Sequence, residues 1–258
     1  MNTALKIEKT LAYVLYFSGF YALFKAIRNS SRNVRILTYH SITDDSGNMV
    51  TRDSFDRQMD YLSVNYVPIS FSEFLEGSKG NSVRKKSIIV TLDDGYMDNY
   101  ANAYPILKKH NIPAMIFPLA GSIDRERMLG WSEMKEMGEP IAFGAHTMTH
   151  PVLSKLPKKD AEKEIVGSKE VLEKGLSRKV DVFAYPYGSR ADFNEETKSI
   201  VRRNFSCAVT TIPGVNDLDN DLFELRRIGC SHENDFIVFK VKVSGALSPF
   251  IKLYRKGE

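Results

Sequence analysis

Two stretches of the chain hold residues whose types and spacing suit chemistry. Ser87 to Tyr96 reads SIIVTLDDGY, an apolar run that ends in Asp93, Asp94 and Gly95. Two adjacent carboxylates at the end of a strand can divide one task, one binding a cation while the other handles a proton. Inside a strand, neighbouring side chains point to opposite faces. Both can lean toward one point only where the strand stops and Gly95 lets the backbone turn. On its own, Asp-Asp-Gly reads more simply as a turn. Phe143 to Pro151, FGAHTMTHP, places His146 and His150 four residues apart. Two imidazoles from one turn of chain, joined by one carboxylate, make three protein ligands, the count of a catalytic zinc-type site that keeps a position open. The remaining histidines are His40, His110 and His232, so a close pair uses a large share of a small supply.

These groups need a frame that brings distant segments together. Ile88, Ile89, Val90 and Leu92 form the near-continuous apolar run of a parallel strand covered on both faces. Val34 to His40, VRILTYH, predicts an earlier strand ending in His40, and Ala114 to Leu119, Asp181 to Tyr187, Cys207 to Ile212 and Leu222 to Cys230 predict later ones. Helices are predicted between them. One starts between Asp53 and Asp56 with Phe55, Met59 and Leu62 on its core face, and others cover Asp98 to His110, Pro157 to Gly175, and a start between Asp192 and Glu195 that runs to Asn204. His110, beside Lys108 and Lys109 at a helix end, suits the helix dipole better than a ligand role. At least seven strand signals alternate with helices, with no repeat or low-complexity segment, which favours one barrel-like α/β domain. In such a barrel the C-terminal strand ends form the catalytic face, where His40, Asp93 and Asp94 fall.

TLDDG, HTMTH and FAYPYG, in that order, closely resemble the signature motifs of the polysaccharide deacetylases, the NodB-homology or family 4 carbohydrate esterases. The resemblance runs from about Val34 to about Cys230. The opening TYHSI is similar to the permuted subgroup that includes bacterial poly-N-acetylglucosamine deacetylases. The resemblance implies a distorted (β/α) barrel and metal-dependent removal of an acetyl group from a sugar. It makes Asp94, His146 and His150 the ligands of a divalent cation, zinc first among several. It makes Asp93 the general base, His40 the general acid and the backbone N–H of Tyr187 the oxyanion donor, between Pro186 and Gly188. Two departures stand out. Where the family carries an arginine before its proline-tyrosine pair, this chain has Phe183-Ala184-Tyr185, so Arg227, with Arg226 second, is the expected partner that orients Asp93, the equal alternative being that both are ordinary strand-end surface cations. His232 is a competing candidate for the acid, with His40 preferred. Trp131 leans toward a place near the groove without a catalytic role.

The chain's 258 residues suit one large domain with small appendages. The division expected is 1–33 as an apolar helix with basic flanks, 34–230 as the deacetylase-like domain and 231–258 as a tail. A net charge of +4 argues against a dedicated nucleic-acid binder. Cys207 and Cys230 are too few for a disulfide scaffold and read as buried apolar residues. Leu11 to Phe24, read as one helix, would be about 21 Å long, short of the roughly 30 Å hydrocarbon core. No small-residue cleavage site follows it, so it is not read as a removable leader. Its tyrosines and cationic flanks suit a membrane surface, and packing on the barrel is the equal alternative. The expected location is membrane-associated at the cytoplasmic face, because the heavier positive charge after the helix would keep the domain there were it to insert, and the alternative is a soluble or exported protein. The tail is open between strand and helix. The partner expected is thus an acetylated glycan or a lipid-linked sugar. The alternatives are an O-deacetylase or deformylase on the same site, or a barrel that binds glycans without turnover.

Overall fold

The computed structural model describes residues 3–27, 29–44, 50–231 and 235–250. Its strands are β1 (Asn33–Tyr39), β2 (Val67–Pro68), β3 (Ser87–Asp94), β4 (Ala114–Pro118), β5 (Ile141–Phe143), β6 (Val182–Ala184), β7 (Cys207–Pro213), β8 (Asn216–Asp217) and β9 (Leu225–Gly229). Seven of them run parallel in the order β5-β4-β3-β1-β9-β7-β6, with β2 paired to β3 and the short β8 antiparallel to β1. The two ends of this curved sheet meet at a single bridge between Ala145 and Phe183. There the Ala145 N–H donates to Val182 O and the Ala184 N–H to Ala145 O, both at 2.9 Å. The fold is therefore an α/β barrel of the distorted type expected, closed at one seam by one bridge.

Strand alternation sorts the residues into layers. Ile36, Ile89, Phe117, Val209 and Leu225 fill the interior. Leu37, Tyr39, Val90 and Leu92 point outward into a second apolar layer beneath the helices α3 (Arg52–Asn65), α5 (Tyr104–Lys109) and α6 (Trp131–Glu136). Helices α7 (Lys158–Leu176) and α8 (Glu195–Asn204) cover the opposite side. Each fully buried Ile, Leu or Phe contributes about 1.5–3 kcal/mol, so the apolar runs carry the barrel.

Two helix starts differ from expectation. Thr51 caps α3 by accepting from the Ser54 N–H at 3.2 Å, while Asp56 instead meets Lys109 at 2.7 Å and His110 at 2.6 Å. Asn194 and Thr197 form the capping box of α8, and Asp192 closes the preceding turn by accepting from the Ser189 N–H at 2.8 Å. Nearby Asp, Asn, Thr and Ser are interchangeable as caps in sequence, and the extended backbone at Thr51 and Asn194 selects among them.

The terminal segments also differ. The apolar N-terminal segment forms two helices, α1 (Thr3–Phe17) and α2 (Phe20–Ile27), bent by 89°. The break is at Ser18-Gly19, where Gly19 takes φ of +81°. The tail resolves as a helix, α9 (Phe236–Ser244), capped by Asp235, which accepts from the N–H groups of Ile237 and Val238. Ala12 and Leu15 of α1 share a buried cluster with Val238 and Val241 of α9, so the segments on either side of the barrel fold as one layer. Arg35, on the outer face of β1, donates to Val243 O at 2.7 Å and fastens that layer to the sheet.

Candidate active site

Ile89, Thr91 and Asp93 are two residues apart along β3, so Asp93 continues the interior face and is 2% exposed. Asp94 would point the other way if the strand continued. Instead Asp94 and Gly95 both adopt left-handed φ, +71° and +74°, and the chain turns over. A Cβ at residue 95 would stand 2.7 Å from the Cβ of Pro118, which is why glycine ends the pair. The expected convergence of two adjacent carboxylates is thus made by a turn that Asp94 shares with Gly95.

Asp94, His146 and His150 come together from β3 and from the loop after β5. Asp94 Oδ1 lies 3.6 Å from His146 Nε2 and 3.7 Å from His150 Nε2, and one donor atom from each of the three lies within 4.8 Å of the others. Donors on one tetrahedral ion with bonds of roughly 2.0–2.1 Å sit about 3.3 Å apart, so the spacing is that of co-ligands. The Nδ1–H of buried His146 donates to Ala184 O at 2.7 Å, which leaves the Nε2 lone pair toward the cluster. Burial lowers the His146 pKa, favouring the neutral form a metal ligand needs. One carboxylate and two imidazoles fit a divalent cation of the zinc, cobalt, nickel or iron type.

Asp93 is held by Arg227. The guanidinium donates Nη1–H to Oδ1 at 2.7 Å and Nη2–H to Oδ2 at 2.6 Å, with both side chains buried. Arg227 is itself fixed by Thr210 O at 2.7 Å and Thr91 Oγ1 at 3.1 Å. Burial pushes the Asp93 pKa up, but the charge and hydrogen bonds of Arg227 outweigh it and hold the carboxyl far below the usual range. Arg226 points outward and packs on Gly214. The phase of β9 makes the choice: Leu225 faces inward, and so does Arg227 two residues on.

His40 is exposed at the end of β1 and lines a cavity of about 210 Å³ together with Thr38, Thr211 and Gly229. Tyr187 has φ of +58°, is 55% exposed, and sets its ring edge-on to His150 at 4.6 Å between centroids. His232 lies outside the described residues. Trp131 does not stand free at the groove. Its ring lies on α7 where a Cβ at Gly175 would be 2.1 Å away, so α6 packing takes it up. Cys207 and Cys230 are buried free thiols, as expected.

The residue spacings lead to a family. A family model for polysaccharide deacetylase matches residues 80–204. YxkH of Bacillus subtilis, itself assigned to the polysaccharide deacetylases, is 33% identical over 202 residues, covering 76% of this chain and 71% of its own. This chain belongs to the polysaccharide deacetylase family. The poly-β-1,6-N-acetyl-D-glucosamine N-deacetylase of Staphylococcus aureus is 27% identical over 217 residues, 72% of this chain and 74% of that one. The Streptococcus pyogenes deacetylase PplD, solved in complex with acetate, matches with a TM-score of 0.72 and 31% identity over 77% of this chain and 92% of that chain. The chain is thus a deacetylase enzyme, and its barrel is the one that family uses.

Several residues that position the deacetylase site escape a reading of motifs. Glu164 of α7 accepts from the N–H groups of Met148 and Thr149 at 2.9 Å and from Thr149 Oγ1 at 2.8 Å, bracing the loop between the two histidines. That loop needs bracing, because Thr147 and His150 both hold left-handed φ, +66° and +63°. Asp98 accepts from Ser41 Oγ and from the Ile42 N–H, and Asn99 Nδ2 donates to His40 O at 2.8 Å, which together pin the loop bearing His40. Tyr96 lies against Asp94, and burial together with that carboxylate pushes its pKa up to about 12. The only sequence signal for these contacts is a set of polar residues just after β3 and on the inner side of α7, which equally suits a solvated surface.

Proposed function

We propose that this deacetylase hydrolyses the N-acetyl groups of an amino-sugar glycan, free or lipid-linked, with a divalent cation, zinc first, held by Asp94, His146 and His150. The observation that carries the reading is one carboxylate and two imidazoles within co-ligand distance, next to a second carboxylate kept ionised by Arg227. The name of the Staphylococcus aureus relative supports a polymeric amino sugar as substrate.

An amide is a weak electrophile with a poor leaving group, so its hydrolysis needs help at three atoms. A cation bound at the triad supplies Lewis-acid polarisation of an acyl oxygen and acidifies water. Asp93 takes the proton of the attacking water. Arg227 occupies one acceptor site on each oxygen, and a carboxylate has about four in all, so acceptor capacity remains. The backbone N–H of Tyr187, presented by its left-handed turn, donates to the oxygen that gains charge as the carbonyl becomes tetrahedral. His40 gives a proton to the departing nitrogen, and the C–N bond breaks to leave a free amine and acetate.

The test pairs elemental analysis of purified protein with acetate release from matched N-acetylated and O-acetylated glycan oligomers. The expected result is a stoichiometric divalent metal and release from the N-acetylated series. Asp93→Asn should retain the metal and lose turnover. Loss of metal and turnover together in that variant would overturn the division of roles, and release from the O-acetylated series alone would assign the site to esters.

A further inference from the structure

The apolar side chains that this fold leaves in water are concentrated in one place. Eight large hydrophobic residues are exposed among the described residues, and six of them, Ile7, Val14, Phe17, Phe20, Leu23 and Ile27, belong to α1 and α2. Their spacing is ordered. Ile7, Val14 and Phe17 stand at i, i+7 and i+10 along α1, and Phe20, Leu23 and Ile27 at i, i+3 and i+7 along α2, so each helix carries one outward apolar stripe. Phe17 and Phe20, 73% and 54% exposed, flank the 89° bend.

The other faces of these helices are already committed. Ala12 and Leu15 are buried against α9. Tyr13 Oη donates to Asp235 at 2.8 Å, Tyr21 and Tyr61 share a hydrogen bond at 2.6 Å, Lys25 Nζ reaches Asn65 Oδ1 at 3.0 Å, and Glu8 pairs with Lys242 at 3.0 Å in a buried contact. Polar ties therefore hold the pair rigidly on the enzyme with its apolar stripes outward. A helix that served only to cover the barrel would carry polar residues on that side.

We infer that the outer face of α1 and α2 docks this enzyme onto the interface of an anionic phospholipid bilayer. Among the described residues no single helix is long and apolar enough to cross a membrane; α1 and α2 reach that length and composition only as a pair broken by the 89° bend, and polar ties hold both to the rest of the enzyme. The two short helices, at 89° to each other, carry their stripes along different directions, and a fluid interface accommodates both at once. Half-buried Tyr13, Tyr16 and Tyr21 border the stripes, where amphipathic rings favour a bilayer's edge. The charge fits as well: residues 1–35 hold Lys6, Lys9, Lys25, Arg28, Arg32 and Arg35 against the single acid Glu8. Lys9 and Arg32 are engaged by acids on the domain and Arg35 is buried, while Lys6 stands exposed beside the α1 stripe. The cavity that His40 lines is also lined by Glu8 and Lys242, so the docked helices border it. Docking then gives the enzyme access to glycans held at a membrane surface, and it does not depend on which acyl group is cleaved.

The experiment is flotation of the full chain with phosphatidylcholine vesicles made with and without phosphatidylglycerol. Binding is expected with phosphatidylglycerol, weaker without it, and reduced by salt. Phe17→Asp/Phe20→Asp should lose at least about tenfold in vesicle partition while acetate release from a soluble oligomer stays at the wild-type level. Leu23→Asp/Ile27→Asp gives an independent loss should the first pair fail to fold by circular dichroism. Wild-type protein that stays unbound with every vesicle, or a folded variant that floats like wild type, overturns the proposal. So does a concentration-dependent dimer, abolished by the same substitutions and without vesicle binding, which would assign the face to a second copy.

Discussion

Replacing Arg227 with methionine tests the site most directly, because Asp93 depends on it for both charge and position. The substitution keeps volume and removes two charge-assisted hydrogen bonds of 2.7 and 2.6 Å, leaving a carboxylate with a side chain 3% exposed and no cation against it. Breaking a buried pair on one side costs about 3–5 kcal/mol. At about 2–4 °C per kcal/mol for a domain of this size, the melting temperature should fall by roughly 10 °C at neutral pH. The pH dependence carries a sign. In the wild type the depressed Asp93 pKa contributes stability that is present above the ordinary value of about 3.9 and is lost only as pH falls through the depressed value. In the variant the Arg227 charge and hydrogen bonds no longer offset burial, so the folded-state pKa rises. The deficit between the two proteins should therefore be greatest near neutrality and shrink as acid protonates Asp93. The acid limb of the rate profile should shift upward in pH for the same reason. Thermal unfolding followed from neutral into acid pH reads the first effect and acetate release reads the second. Arg227→Met/Asp93→Asn should regain most of the lost stability with no activity, because no charge is then left unpaired. Arg227→Met within about 1 kcal/mol of wild type at every pH, with an unmoved acid limb, would refute the dependence.

Two further predictions concern proton transfer and metal retention. His40→Ala should lose about 10²–10⁴ in kcat on an N-acetylated oligomer yet little on an aryl acetate, whose leaving group needs no proton; equal losses on both would remove His40 from the acid role. Glu164→Gln weakens a charged acceptor of three hydrogen bonds on the loop between the histidines, so affinity for a titrated divalent metal should fall about 10–100-fold, and unchanged affinity would show that the loop holds its shape without it.

The sequence by itself determined the parts of this protein that depend on neighbours along the chain. A near-continuous apolar run followed by Asp93, Asp94 and Gly95, and two imidazoles four residues apart, carry their meaning locally, because strand and turn formation are decided within a few residues. The alternation of strands and helices made the barrel legible for the same reason. What only the tertiary structure decided was partnership. Arg226 and Arg227 are the same residue type in adjacent positions, and the register of β9 in the barrel sends Arg227 inward to Asp93, distant in sequence, and Arg226 outward. Glu164, Asp98 and Asn99 read as surface polar residues until the barrel sets them beside the loops they brace. The two ends of the chain share aromatics and cations that suit a common docking surface, and they became one layer because burying Ala12 and Leu15 on Val238 and Val241 satisfies apolar faces that neither end can cover alone. Adjacency in sequence specifies which atoms can act, and closure of the barrel specifies which of them meet.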